Sequence, residues 1–152
     1  MKVLVVGAGS VGQTYGYHLH RGGASVTFFV KAQYVGDLQA HPLTLHRLYL
    51  GGWAASWLDR SPRNEFTEYD VVASEEEVRA GKYEYVIFTP THDALVKDDF
   101  AKKIVAWAGP QAAIVSTMTS VAYVHVSLVL TRTYLFLVVT FSRKSSRLTR
   151  AV

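Results

Sequence analysis

Three glycines near the start of the chain stand at a spacing suited to phosphate binding. Gly7, Gly9 and Gly12 follow the apolar run Val3-Leu4-Val5-Val6, in the stretch VVGAGSVG. In a G-x-G-x-x-G pattern the first glycine allows a tight turn out of a strand. The second lets the backbone approach a pyrophosphate, and the third lets a helix lie close to its sheet. The N–H groups of Ser10, Val11 and Gly12 would then face the phosphates from a helix N-terminus. The candidate cofactor loop is therefore Gly7, Ala8, Gly9, Ser10, Val11 and Gly12. The plainer alternative is a strand-to-helix turn that holds no ligand.

A second position bears on which dinucleotide would bind. Sites for NAD usually place Asp or Glu after the second strand, where it bonds the ribose 2′-hydroxyl. Here FFVKAQ places Lys31, 19 residues after Gly12. A cation can pair with a 2′-phosphate, so the expected cofactor is NADP. An ordinary surface lysine is the alternative. Further along, YVIF is followed by Thr89-Pro90-Thr91-His92-Asp93. Ligands of open parallel sheets bind outside the carboxyl ends of the strands, so Thr89 and Thr91 can reach the cofactor. His92 is the histidine nearest this crevice and the candidate for proton transfer. Its plainer reading is an exposed loop residue beside a helix-capping Asp93, so no catalytic residue is assigned. His18, His20, His41 and His46 lack metal-ligand spacing with a carboxylate, and no metal site is expected.

The elements that must position these residues are legible from periodicity. Lys2–Val6 predicts a buried parallel strand. Val11, Tyr15 and Leu19 predict a helix ended by Gly22-Gly23. Ser25–Val30 predicts a second strand, and Lys31 to about His41 a helix ended by Pro42. LTLHRLYL and WAASWL suggest paired strands around Gly51-Gly52, with DRSPRNEF a polar loop. Tyr69–Ala73 predicts a short strand. Ser74 with Glu77 predicts a capping box opening a helix over Glu75–Ala80. Tyr85–Thr89 predicts a strand, Ala94–Trp107 a helix capped by Asp93, and Ala112–Val115 another strand. Alternating strands and helices imply an α/β fold: a Rossmann-like, doubly wound, mainly parallel sheet with helices on both faces.

Composition narrows the function classes. The chain has 152 residues, 49% of them hydrophobic, enough for one domain with a sizeable core. It has no cysteine, which excludes a disulfide framework, a thiolate metal site and a cysteine nucleophile. The short apolar N-terminus does not read as a signal peptide, and a cytoplasmic location is expected. The net charge of +4 is uneven, because residues 121–152 carry five basic residues and no acid. The body has no basic stripe, so no nucleic-acid partner is expected.

The stretch MKVLVVGAGSVGQTYGYHLHRGGASVTFFVK resembles the N-terminal domain of the ketopantoate reductase (2-dehydropantoate 2-reductase) family. HPLTLHRL, YEYVIFTPTHDAL and AAIVSTMTS follow in a similar order, so the likeness covers about residues 1–120. It implies NADPH-dependent reduction of a 2-keto acid to a 2-hydroxy acid, on the route to pantothenate and coenzyme A. It also implies that Gly7, Gly9 and Gly12 carry the pyrophosphate and Lys31 the 2′-phosphate. Three departures stand out. Thr91 replaces the lysine common after the VIFT-like strand, STMTS around Thr117 and Met118 replaces an Asn-Gly pair, and the family's helical C-terminal domain, with its catalytic lysine, is expected to be missing.

Two domains are therefore expected: a cofactor-binding domain over 1–120 and a divergent tail over 121–152. The run from 121 to 141 holds 15 apolar residues out of 21, long enough to span a bilayer, but Arg132 at its middle disfavours that. Sheet strands and an incidental terminus are the other readings, the last preferred. The alternative to a reductase is a non-catalytic or truncated dinucleotide-binding module. Association with a second copy or a partner chain stays open.

Overall fold

The computed structural model describes residues 1–46, 63–91, 94–95 and 97–117. Five strands form a wholly parallel sheet in the order β5-β2-β1-β6-β7. They are β1 (Lys2–Val6), β2 (Ser25–Phe29), β5 (Asp70–Val72), β6 (Tyr85–Phe88) and β7 (Ala113–Ser116). The helices are α1 (Ser10–Arg21), α2 (Val35–Ala40), α3 (Glu75–Gly81) and α4 (Phe100–Ala108). A two-stranded antiparallel pair, β3 (Leu43–His46) and β4 (Arg63–Phe66), completes the described elements. The expected Rossmann-like architecture is the one observed.

Period-2 alternation along the strands divides the core into two layers. Val3, Val5, Val26 and Phe28 face one side, packed with Leu43, Phe66 and the α1 residues Tyr17 and Leu19. Leu4, Val6, Phe29, Val86 and Phe88 face the other, packed with Val78 of α3 and Ile104 of α4. Central strands buried on both faces need continuous apolar runs, which is why VLVV and YVIF were legible. Each fully buried Val, Leu, Ile or Phe contributes about 1.5–3 kcal/mol relative to exposure. On the α1 side the contact is close. A Cβ at Gly16 would lie 2.5 Å from Phe28 Cζ, so glycine lets the helix settle against the sheet.

Two expectations need correction. The partner of β3 is Arg63–Phe66, inside the segment read as a polar loop. Its polar residues hide the strand: Phe66 is its one apolar residue, buried against Phe28 and Tyr69. WAASWL, first offered as that partner, lies outside the described residues, as do His92, Asp93 and the tail from 118 onward. The second correction concerns the helix expected from Ala94. Ala94 and Leu95 are helical as expected, but the helix is interrupted, because Asp98 and Asp99 take the left-handed conformation, with φ of 57° and 54°, and α4 starts afresh at Phe100. Aspartate tolerates that region better than most residues, and the chain kinks there.

The Ser74 capping box is present as expected. Glu77 N–H donates to Ser74 Oγ, and Glu77 Oε2 accepts from the N–H groups of Ala73 and Ser74, both at 2.9 Å. The Ala73 N–H, followed by the two groups of Ser74, holds the Glu77 carboxyl below its usual pKa of 4.5. A depressed folded-state pKa stabilises the fold above the unfolded value, and that contribution is lost as pH falls through the folded value. Glu77→Ala should therefore lower the melting temperature at about pH 7, and its curve should converge with that of the unsubstituted chain towards about pH 3. Melting followed across that range checks it. A gap of constant size would mean that the carboxylate charge contributes nothing.

Candidate cofactor-binding site

The ends of three strands meet at one place. Gly7 N–H donates to Phe29 O at 2.9 Å, and Thr89 N–H donates to Val6 O at 3.2 Å. These bonds align the carboxyl ends of β2, β1 and β6. The chain order also reverses here. From β1 the connections run outward through β2 to β5, then return to β6 on the far side of β1. Such a switch point opens the crevice in which ligands of doubly wound sheets bind.

The glycine loop crosses this crevice. Gly7 has φ +95°, a conformation that side chains with a Cβ rarely adopt. A Cβ at Gly12 would overlap the Gly7 carbonyl oxygen and lie 3.0 Å from Thr89 Oγ1. Gly9 differs from both. It has φ −74° and ψ −178°, which any residue can adopt, and a Cβ there would meet no atom of the described residues within 4 Å. Packing among the described residues explains Gly7 and Gly12 but gives no reason for Gly9.

The electrostatics of the loop suit an anion. Gly9 caps α1 without a side-chain hydrogen bond, and the first turn holds no acid. The first helical bond is Gln13 N–H to Gly9 O at 2.9 Å, so the N–H groups of Ser10, Val11 and Gly12 stand at the helix start without intrahelical acceptors. Helix α3 also begins at the carboxyl end of the sheet, yet its first turn is Glu75-Glu76-Glu77 and it is self-capped. Of these two helix starts, α1 is the one suited to phosphate.

The structure brings the other expected residues to the same end of the sheet, with different roles. Lys31 lies two residues beyond Phe29, whose carbonyl Gly7 holds. It is exposed, and among the described residues it pairs with no carboxylate. Thr89 lies beneath the loop, its hydroxyl 2.8 Å from Val6 O and 3.1 Å from Gly7 O. It supports the loop from the sheet side. Thr91 is exposed, and its carbonyl accepts the Leu95 N–H at 3.3 Å. Sequence reasoning missed Gln13, whose side-chain Nε2 donates to Ala8 O at 2.7 Å. Its position one residue after the last glycine of the motif was the available signal.

A cavity of about 750 Å³ lies elsewhere, at the amino ends of the strands, lined by Lys2, Ser25, Thr27, Asp70 and Tyr83 among others. It contains none of the loop residues, and ligands of this sheet type bind at the opposite end. Among the described residues, no cluster of three or more His, Asp or Glu is placed to hold a metal, and no helix is long and apolar enough to cross a membrane.

Solved structures of similar fold include one assigned as a 2-dehydropantoate 2-reductase from Enterococcus faecalis (TM-score 0.65, 17% identity, covering 90% of this chain and 40% of that one). A D-mandelate dehydrogenase with NADH and anilino(oxo)acetate is also similar (TM-score 0.63, 17% identity, 86% and 37%). A PanE/ApbA family ketopantoate reductase from Ralstonia eutropha JMP134 gives a TM-score of 0.60 at 20% identity, covering 90% and 40%. The chain thus spans about two-fifths of the length of these structures. No curated protein matches it. The family model described as ketopantoate reductase PanE/ApbA matches residues 3–121, and with the glycine loop at the switch point of a parallel sheet the chain belongs to that family.

Proposed function

We propose that this chain is the NADPH-binding part of a reductase that converts a 2-keto acid to a 2-hydroxy acid. The observation that carries the reading is Gly9, open to solvent at the uncapped, acid-free start of α1. Gly7 to Gly12 would hold the pyrophosphate, and Lys31 would pair with the 2′-phosphate. Bound there, the cofactor supplies the hydride. The chain's own residues bind and orient it. The proton donor and the keto-acid contacts lie outside the described residues, in the same chain or in a partner. Ketopantoate, and with it a place on the pantothenate route, is the substrate the family membership favours.

Energy transfer from tryptophan to bound reduced nicotinamide tests the reading, with NADPH and NADH compared. Trp107 packs on Phe29 near the end of β2. NADPH should bind more tightly than NADH. Lys31→Ala should weaken NADPH about tenfold and leave NADH unchanged, as expected for loss of one charge-assisted contact at an exposed position. Equal affinities in the unsubstituted chain would remove the NADP assignment, and silence with both cofactors would remove the site.

A second reading, a dinucleotide-binding module without turnover, keeps the same loop and follows from the described residues offering no assigned catalytic group. Oxidation of NADPH by the isolated chain with any of a panel of 2-keto acids would dispose of it.

A further inference from the structure

We infer that Gln13 is a positioning residue that presets the loop for a pyrophosphate. This rests on the reading of Gly7 to Gly12 as the phosphate site and adds a device to it. Gln13 sits one turn into α1 and holds two successive carbonyls of the loop. Its side-chain Nε2 donates to Ala8 O at 2.7 Å, and its backbone N–H donates to Gly9 O at 2.9 Å. The preceding carbonyl, Gly7 O, lies 3.1 Å from the Thr89 hydroxyl. Three consecutive peptide units thus have their oxygens engaged from the protein side.

Peptide geometry turns this into a binding surface. The described residues contain no cis peptide, and in a planar trans unit the C=O and N–H point in opposite directions. Engaging the oxygens of Gly7, Ala8 and Gly9 therefore turns the N–H groups of Ala8, Gly9 and Ser10 away from their anchors. Among the described residues, neither the Ala8 nor the Gly9 N–H has an acceptor. A short row of outward amides forms a concave anion site. Glycine-rich backbone is otherwise free to rotate these units, and that freedom is an entropic cost of binding. Gln13 removes part of it in advance. The Ala8–Gly9 unit matters most, because its oxygen is the one that the Gln13 side chain holds.

Gln13→Met tests this. Methionine nearly matches glutamine in shape and carries no charge, but it cannot donate. The dissociation constant for NADPH should rise about tenfold, because the freed loop must then be ordered on binding. The melting temperature of the free chain should fall by only about 2–4 °C, since the same hydrogen bond is lost there. The spectroscopic signature is in the amide protons of Ala8 and Gly9. In the unsubstituted chain NADPH should shift both downfield, and in the variant these shifts should shrink. A packing role alone would move the melting temperature and spare the shifts. A second measurement needs no variant. Without cofactor, one Nε2 proton of Gln13 should be shifted and protected from exchange relative to its geminal partner. NADPH affinity unchanged by Gln13→Met, or Gln13 Nε2 protons with the shifts and exchange rates of a solvent-exposed glutamine amide, would overturn the inference while leaving the site reading in place. No binding of NADPH or NADH by the unsubstituted chain would overturn the site reading, and this inference with it.

Discussion

Gly12→Ala should lower the melting temperature by about 10 °C or more, the consequence of roughly 3 kcal/mol of overpacking in a domain of this size. The added methyl would overlap the Gly7 carbonyl oxygen and press on the Thr89 hydroxyl. Neither neighbour can give way cheaply. Gly7 O is backbone, fixed by a residue at φ +95° whose N–H is bonded to Phe29. Thr89 Oγ1 is held against Val6 O at 2.8 Å. The helix start would have to lift from the sheet, carrying with it the close contact of Gly16 on Phe28. Thermal unfolding followed by far-ultraviolet circular dichroism reads the effect. A melting temperature within about 2 °C of the unsubstituted chain would show that α1 can rise without loss, and the packing account of Gly12 would fail.

Gly9→Val should do the reverse. Its backbone angles suit any residue, and a Cβ there meets nothing among the described residues. Stability should fall by no more than about 1 kcal/mol, the difference between glycine and valine as the N-cap of α1. NADPH binding should weaken by about a hundredfold or more, because the branched side chain occupies the space through which a phosphate approaches the N–H groups. Titration by energy transfer alongside a melting curve measures both quantities on one sample. Retained affinity would leave Gly9 without a ligand-based explanation and would weaken the whole site assignment. The two substitutions, three residues apart in one motif, separate a glycine required by the fold from one required by a ligand.

Much of the fold was legible in the sequence. The strands β1, β2 and β6 are short valine- and phenylalanine-rich runs, because burial on both faces leaves no place for polar residues. The helix α3 is announced by Ser74 and Glu77, since capping is local and needs only a three-residue spacing. Where pairing is not local, the sequence was silent. Arg63–Phe66 carries charged and polar residues and becomes a strand only because β3 lies beside it. The interruption before α4 was not legible, since apolar periodicity continues across Asp98 and Asp99 while the backbone does not.

The site divides in the same way. Residue types and spacing determined that Gly7, Gly9 and Gly12 have the G-x-G-x-x-G spacing between a strand and a helix, that Lys31 follows the second strand, and that no carboxylate stands there. These are properties of neighbours along the chain, and the physical demands of turn, close approach and charge act over a few residues. The tertiary structure decided what each residue does. It set Gly12 against the Gly7 carbonyl and left Gly9 open. It put Thr89, 83 residues from Val6, beneath the loop. It also turned Gln13 back onto Ala8. Those assignments depend on which peptide oxygen lies within about 3 Å of which donor, and that distance is set by how α1 and β6 pack on β1, which no spacing along the chain encodes.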